Sequence, residues 1–182
     1  MKSKSAFYLS MSGLLIALGI VIPMFSPFKI IVEPASFTLA SHVAIFVAMF
    51  ISPGMAAVVA IGTTIGFFLG GYPLVVVLRA ASHMIFATLG AFYLRWSPDI
   101  THSPVKLRVF SFFVALFHAL CELVVVSIFY YGGNMGALYY QQGFLLSVLL
   151  LVGLGTIIHS MIDFEIAHAI IVILQKTKKL KA

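Results

Sequence analysis

Charge is scarce in this sequence. Five acids and eleven bases stand among 182 residues, 9% of the chain, while 62% is hydrophobic and the mean hydropathy is +1.15. A soluble domain carries roughly 25% charged and 45–50% apolar residues. So few charges cannot cover a soluble globule, which excludes a water-soluble enzyme, a disordered tail and a nucleic-acid-binding domain. The single cysteine, Cys121, excludes an intrachain disulfide framework and a cysteine cluster for a structural metal. GxxxxGK[ST] is absent, so ATP is not bound through a P-loop. GxSxG and HExxH are absent too, and no channel-like filter sequence repeats along the chain. No catalytic residue and no cofactor is expected.

What is present is a series of apolar runs. A membrane helix needs about 20 apolar residues at 1.5 Å per residue. The runs at 6–25, 36–51, 54–69, 74–94, 109–131 and 144–174 predict an all-α integral membrane protein. They form one domain over 1–182, a bundle of six transmembrane helices. The second and third runs, 16 residues each, are short for a span and are split by Ser52-Pro53. The first is too long for a signal-peptide core, and no cleavage site followed by a hydrophilic chain appears. With the N-terminus inside, Lys2, Lys4, Arg95, Lys106, Arg108, Lys176, Lys178, Lys179 and Lys181 fall on the cytoplasmic side, and Lys29 falls outside. That bias places both termini in the cytoplasm. The basic tail then reads as a topology anchor or lipid contact. The outer connections are 26–35, 70–73 and 132–143. Lys29 and Glu33 in the first are neighbours if that segment is helical.

The polar residues inside the spans carry most of the functional information, because a charge in hydrocarbon needs a partner or a cavity. Counted at the helical rise, Arg79 lies about 7 Å below the outer surface, His42 about 9 Å, and His83 and Glu122 about 13 Å. Four polar groups at similar depth suit a solute pocket open to the exterior. Arg79 reads as a carboxylate ligand through its planar fork, or as a structural ion pair with Glu122. His42 and His83 read as substrate contacts or as satisfied core histidines. A metal held by His42, His83 and Glu122 has the right ligand types but no supporting spacing, so no metal is expected. His159 and Asp163, one turn apart, count to about 22 Å or more from the outside. They read as a helix–helix hydrogen bond or a coupling element. Gly13 and Ala17 form a small-xxx-small pair that permits close helix approach. Gly62, Gly66, Gly70 and Gly71 suggest tight packing or a bend.

Three segments carry a family resemblance: Glu33-Pro34-Ala35-Ser36-Phe37-Thr38-Leu39-Ala40-Ser41-His42, Leu78-Arg79-Ala80-Ala81-Ser82-His83 and Ile158-His159-Ser160-Met161-Ile162-Asp163. With six spans and the helix-one motif, they resemble the substrate-binding subunit (S component) of bacterial energy-coupling-factor (ECF) vitamin transporters, a class of ABC-type importer. Within that family the chain looks most like the niacin-specific type. The resemblance implies a multi-pass protein of the bacterial cell membrane that is not itself an enzyme. It captures a vitamin outside and topples to deliver it inward. Its partners would be a transmembrane coupling subunit (T component) and two ATPase subunits, with membrane lipid around it and no nucleic acid. Gly13 and Ala17 match the family's AxxxA motif that meets the coupling subunit, with glycine replacing the first alanine. The family's lid loops match the three outer connections.

Nicotinate, a flat ring with a carboxylate, is chemically compatible with the polar residues. Arg79 would pair with the carboxylate. His83, His42 or Glu122 would meet the ring nitrogen, and Tyr72, Phe37 or Tyr139 would stack on the ring. Asn134 would hold a lid closed. The alternatives are an S component for pantothenate, a pyrimidine or a cobalamin precursor, or a stand-alone transporter coupled to protons through Glu122 or Asp163.

Overall fold

The computed structural model describes residues 2–32 and 35–179. Glu33, Pro34 and Lys181, which entered the expectations above, lie outside the described residues. The first helix, α1, runs over Lys2–Phe25, four residues earlier than the apolar run, because the polar N-terminal residues continue the same helix. Its outer face is apolar and exposed, as lipid contact requires.

The largest departure from expectation follows α1. The segment expected to start a second span at residue 36 instead forms a β-hairpin. Strand β1 (Lys29–Val32) pairs antiparallel with β2 (Ala35–Thr38), with Lys29 opposite Thr38 and Ile30 opposite Phe37. Ile30, Ile31, Val32, Phe37 and Thr38 are strand formers that fit a pleated surface. Lys29 therefore opens a strand, and the helical premise for its pairing with Glu33 does not hold. Helix α2 is left with nine residues, Val43–Ile51, of which Val43–Met49 are buried.

Helix α3 (Pro53–Leu69) begins at a signal present in the sequence. Ser52 is extended, and its hydroxyl accepts a hydrogen bond from the Met55 N–H at 3.1 Å. Pro53 follows where its missing N–H costs nothing. Helix α3 packs on α1 through glycines. A Cβ at Gly62 or Gly66 would collide with Ile16 or Ile20, so the absence of side chains brings the backbones together. Gly13 and Ala17 take no part in this packing. Both are exposed, and nothing lies within 4 Å of where a Gly13 Cβ would stand.

Helix α4 (Leu74–Trp96) follows the tight turn that Gly71 makes at φ +76°. A short 3-10 turn, Pro98–His102, leads to α5 (Pro104–Tyr131), which starts five residues before the apolar run, capped by Ser103. The expected sixth run of 144–174 is helical throughout and is preceded by a further short helix. A short helix α6 (Ala137–Phe144) occupies much of the expected loop, and Gly143 bends the chain at φ +77°. A π-helical stretch, Leu145–Leu154, then runs into α7 (Gly155–Lys179). Gly143 takes the positive φ that a side chain would oppose, so the long apolar run starts just after a bend.

Among the described residues, four helical stretches are long and apolar enough to cross a membrane: Ser5–Phe25, Leu74–Trp96, Pro104–Tyr131 and Ala137–Thr177. Helix α3 is also apolar, at 17 residues. The protein is an all-α, multi-pass membrane protein carrying one small hairpin among its described residues. Phe46, Phe86, Phe110 and Phe164 interlock at centroid distances of 5.4–5.9 Å to form its apolar core. The polar cluster lies immediately beside them.

Candidate functional site

Three helices each present a pair of polar residues one turn apart, which puts both members on one face. Helix α4 gives Arg79 and His83, α5 gives His118 and Glu122, and α7 gives His159 and Asp163. The three faces converge. His42, at the N-terminus of α2, enters between them.

Glu122, 2% exposed, organises the first half. Its Oε2 accepts from the Arg79 guanidinium at 2.8 Å and from the Thr156 hydroxyl at 2.7 Å. Its Oε1 lies 3.3 Å from His83 Nε2 and 3.5 Å from His118 Nε2. The His118 contact falls within ion-pair distance, but its geometry is not that of a hydrogen bond, and His118 Nε2 has no hydrogen-bond partner among the described residues. His118 Nδ1 meets the Ser160 hydroxyl at 3.2 Å, and Phe86 stacks on the His118 ring at 4.2 Å.

Asp163, fully buried, organises the second half. It accepts from the backbone N–H groups of Ala40 and His42, each at 2.8 Å, and its Oδ2 lies 3.2 Å from His42 Nδ1. Ala40 stands at φ +67°, a left-handed conformation that opposes a side chain. The carboxylate holds that turn and so fixes the end of the hairpin to α7. The Ser41 hydroxyl bridges His42 Nδ1 and His159 Nε2 at 3.2 and 2.9 Å. The His42 ring centroid lies 4.9 Å from His83, 4.8 Å from His118 and 5.0 Å from His159. Four of the six histidines thus form one cluster.

Above the cluster is a cavity of about 220 Å³. Arg79, His83, Glu122, His42, Phe37 and Tyr72 all line it, so six of the eight expected substrate contacts come together. Phe37 packs against the backbone of Gly155, where a Cβ would collide with its ring, and approaches His159 at 5.7 Å. Tyr72, in the α3–α4 turn, stacks on Phe67 at 4.6 Å and 22°. Its partial burial holds the hydroxyl above the ordinary phenol value, so it remains a neutral donor.

The other two expected contacts lie elsewhere. Asn134 is exposed, and its amide bonds the Gly132 carbonyl at 2.9 Å, so it closes its own turn and does not line the cavity. Tyr139 packs beside the Val126, Val148 and Val152 cluster, close enough to Arg79 and Glu122 to interact with their charges, but it is not among the residues that line the cavity.

Lys29, Ser41, Thr156 and His159 also line the cavity, and none of them was an expected substrate contact. Lys29 brings a second positive charge to the rim from β1. His159 was placed far from the outside by counting 1.5 Å per residue along unbroken helices. The hairpin changes that geometry, because an extended chain advances about 3.3 Å per residue. His42 is carried inward to meet His159, and residues counted to very different depths share one site. The signals for the missed residues were the His118/Glu122 spacing and the strand-forming run before His42.

A larger groove of about 630 Å³ runs between α4 and α5. Leu89, Phe113 and Phe117 line it and are exposed on the apolar outer surface, so it lacks the convergent polar groups of a solute site.

No protein-family model and no solved structure matches the chain. The niacin transporter NiaX of Lactococcus lactis subsp. cremoris is 46% identical to it over 159 residues, covering 87% of this chain and 70% of the relative. By that identity and coverage, the chain belongs to the NiaX family of niacin transporters.

Proposed function

We propose that the chain is the substrate-binding subunit of an energy-coupling-factor transporter, and that its cavity captures niacin as the nicotinate anion. The kinship to NiaX carries this reading. The cavity chemistry supports it. Arg79 is held by Glu122 through one nitrogen, and its buried Nε has no hydrogen-bond partner among the described residues. That leaves N–H donors for a carboxylate, with Lys29 at the rim as a second cation. Phe37 and Tyr72 offer apolar faces to the ring, and His42, His83 and Glu122 form the polar floor beneath it.

Size favours a single ring. Drug-sized ligands occupy pockets of about 300–1,000 Å³, and this cavity, at about 220 Å³, is smaller. A cobalamin precursor does not fit such a volume.

The same reading places six spans across the bacterial cell membrane as one domain, with both termini cytoplasmic. The distribution of Lys and Arg supports it. In this topology the hairpin, the α3–α4 turn and the α5–α7 connection all face outside, and the first two supply Lys29, Phe37 and Tyr72 to the cavity. Gly13 and Ala17, exposed on α1, offer a close-approach surface to the coupling subunit, and ATP hydrolysis belongs to two further subunits.

Calorimetric titration of the purified chain tests the assignment. Trp96 lies at the far end of α4 from Arg79 and is a poor reporter. Nicotinate is expected to bind tightly, and nicotinamide, which lacks the charge, much more weakly. Arg79→Ala is expected to weaken nicotinate by about 30-fold or more, since truncating one partner of a buried charge pair costs 2–5 kcal/mol. Equal affinity for the two compounds, or an unchanged Arg79→Ala, contradicts the proposed role of Arg79.

A further inference from the structure

We infer that the floor of the cavity is a binding site for one divalent transition-metal ion of the zinc type, held by His42, His83, His118 and Glu122. Each of these residues offers one ligand atom, and the four atoms lie within 4.8 Å of one another. The spacings match a tetrahedral ion, and only the His83–Glu122 contact is also a hydrogen bond. Bonds of about 2.0–2.1 Å to a tetrahedral centre set neighbouring donor atoms about 3.3–3.4 Å apart. Glu122 Oε1 lies 3.3 Å from His83 Nε2 and 3.5 Å from His118 Nε2. Imidazoles radiating from such a centre have ring centroids about 5 Å apart. The pairwise centroid distances among His42, His83 and His118 are 4.9, 4.8 and 4.7 Å.

The outer shell is also in place. A metal-bound histidine donates its second N–H to a carboxylate or another acceptor, which fixes the ring. His42 Nδ1 is engaged by Asp163 at 3.2 Å, and His118 Nδ1 by Ser160 at 3.2 Å. Both rings are thereby left with Nε2 as the coordinating atom. His118 is completely buried, and its Nε2 is a buried polar atom with no hydrogen-bond partner among the described residues, 3.5 Å from Glu122 Oε1. Glu122 divides its oxygens in the same sense, with Oε2 given to Arg79 and Thr156 and Oε1 facing the histidines. Three imidazoles and a carboxylate suit zinc or its neighbours, and not calcium or magnesium.

Charge gives the ion a role. Arg79 and Lys29 are matched in number by Glu122 and Asp163, so these four groups leave no surplus positive charge for an anion. A divalent ion supplies two. This role rests on the nicotinate reading; the metal site itself does not.

The test uses the full chain purified through a tag without histidine, in the absence of niacin. Zinc content is measured after loading and gel filtration, and Co²⁺ is titrated as a spectroscopic probe. About one zinc per chain is expected, with the visible absorption of tetrahedral Co²⁺. His118→Gln is expected to lower the affinity tenfold or more, and His102→Gln, in the distant 3-10 turn, to leave it unchanged. Loss of stoichiometric zinc from the wild-type chain, absence of the tetrahedral cobalt spectrum, or undiminished binding by His118→Gln overturns the inference. If His118→Gln does not fold, the wild-type cobalt spectrum decides. Because niacin is absent, failure of the niacin assignment leaves this result untouched.

Discussion

Single residues in this protein are held by partners on other helices, and Asp163 shows what that implies. Its carboxylate closes the left-handed turn at Ala40, receives the His42 N–H and orients the His42 ring, all while fully buried. Asp163→Asn turns one acceptor into a donor that faces N–H groups. Leaving buried donors unsatisfied costs about 1–3 kcal/mol. The variant is expected to unfold at measurably lower denaturant and to bind nicotinate at least tenfold more weakly, because Lys29 and Phe37 reach the cavity on the hairpin that Asp163 anchors. Unchanged stability and affinity in a chemical-denaturation series and a titration contradict that role. At this scale the sequence was informative about chemistry and less so about place. A charge in an apolar run announces itself, so Arg79, His83, His42 and Glu122 were readable. Asn134 looked like a lid residue because it is polar in a glycine-rich loop, but its amide is used within its own turn. The inferred metal ligands come from the start of α2, from α4 and from α5, with only His118 and Glu122 paired in sequence, and their distances exist only after folding.

At the scale of elements, two small features decide how the helices are used. Gly62 and Gly66 bring α3 against Ile16 and Ile20, whereas Gly13 and Ala17 face outward on the same helix α1. The two glycine sets therefore predict opposite phenotypes. Gly62→Leu forces a side chain into a filled interface and is expected to destabilise the chain by about 1–3 kcal/mol. Gly13→Leu meets open space, so folding and nicotinate affinity are expected to stay within twofold of wild type while uptake through the coupling subunit falls at least tenfold. The checks are thermal unfolding, calorimetry and vesicle uptake on both variants. A Gly13→Leu chain that transports normally contradicts the docking role. The long helices α4 and α5 were legible from hydropathy, with ends off by a few residues where polar turns continue the helix. The hairpin was not, because strand formers beside a membrane span read as more span. The bend at Gly143 falls at the edge of the apolar run, just after Gln141-Gln142, but the helical turn of 137–142 before it was hidden, since a polar, glycine-rich stretch reads as loop.

For the whole molecule, the buried polar cluster lies beside a cavity lined by the hairpin and the α3–α4 turn, and in the proposed topology these connections face outside while Lys and Arg gather on the inner side. Hydropathy and Lys/Arg placement carried the class and the expected topology. The cavity's volume and its second cation at Lys29 depend on how the hairpin folds back, which no count along the chain supplies. The central claim is that this chain binds niacin alone but moves it only with an energised partner. The most direct measurement is accumulation of radiolabelled nicotinate in proteoliposomes containing the chain, with and without the coupling subunit and its ATPases, at a fixed pH gradient. The account predicts binding but no accumulation by the chain alone, and ATP-dependent accumulation once the partners are added. Accumulation by the chain alone, driven by the pH gradient, would contradict it and identify a stand-alone proton-coupled transporter.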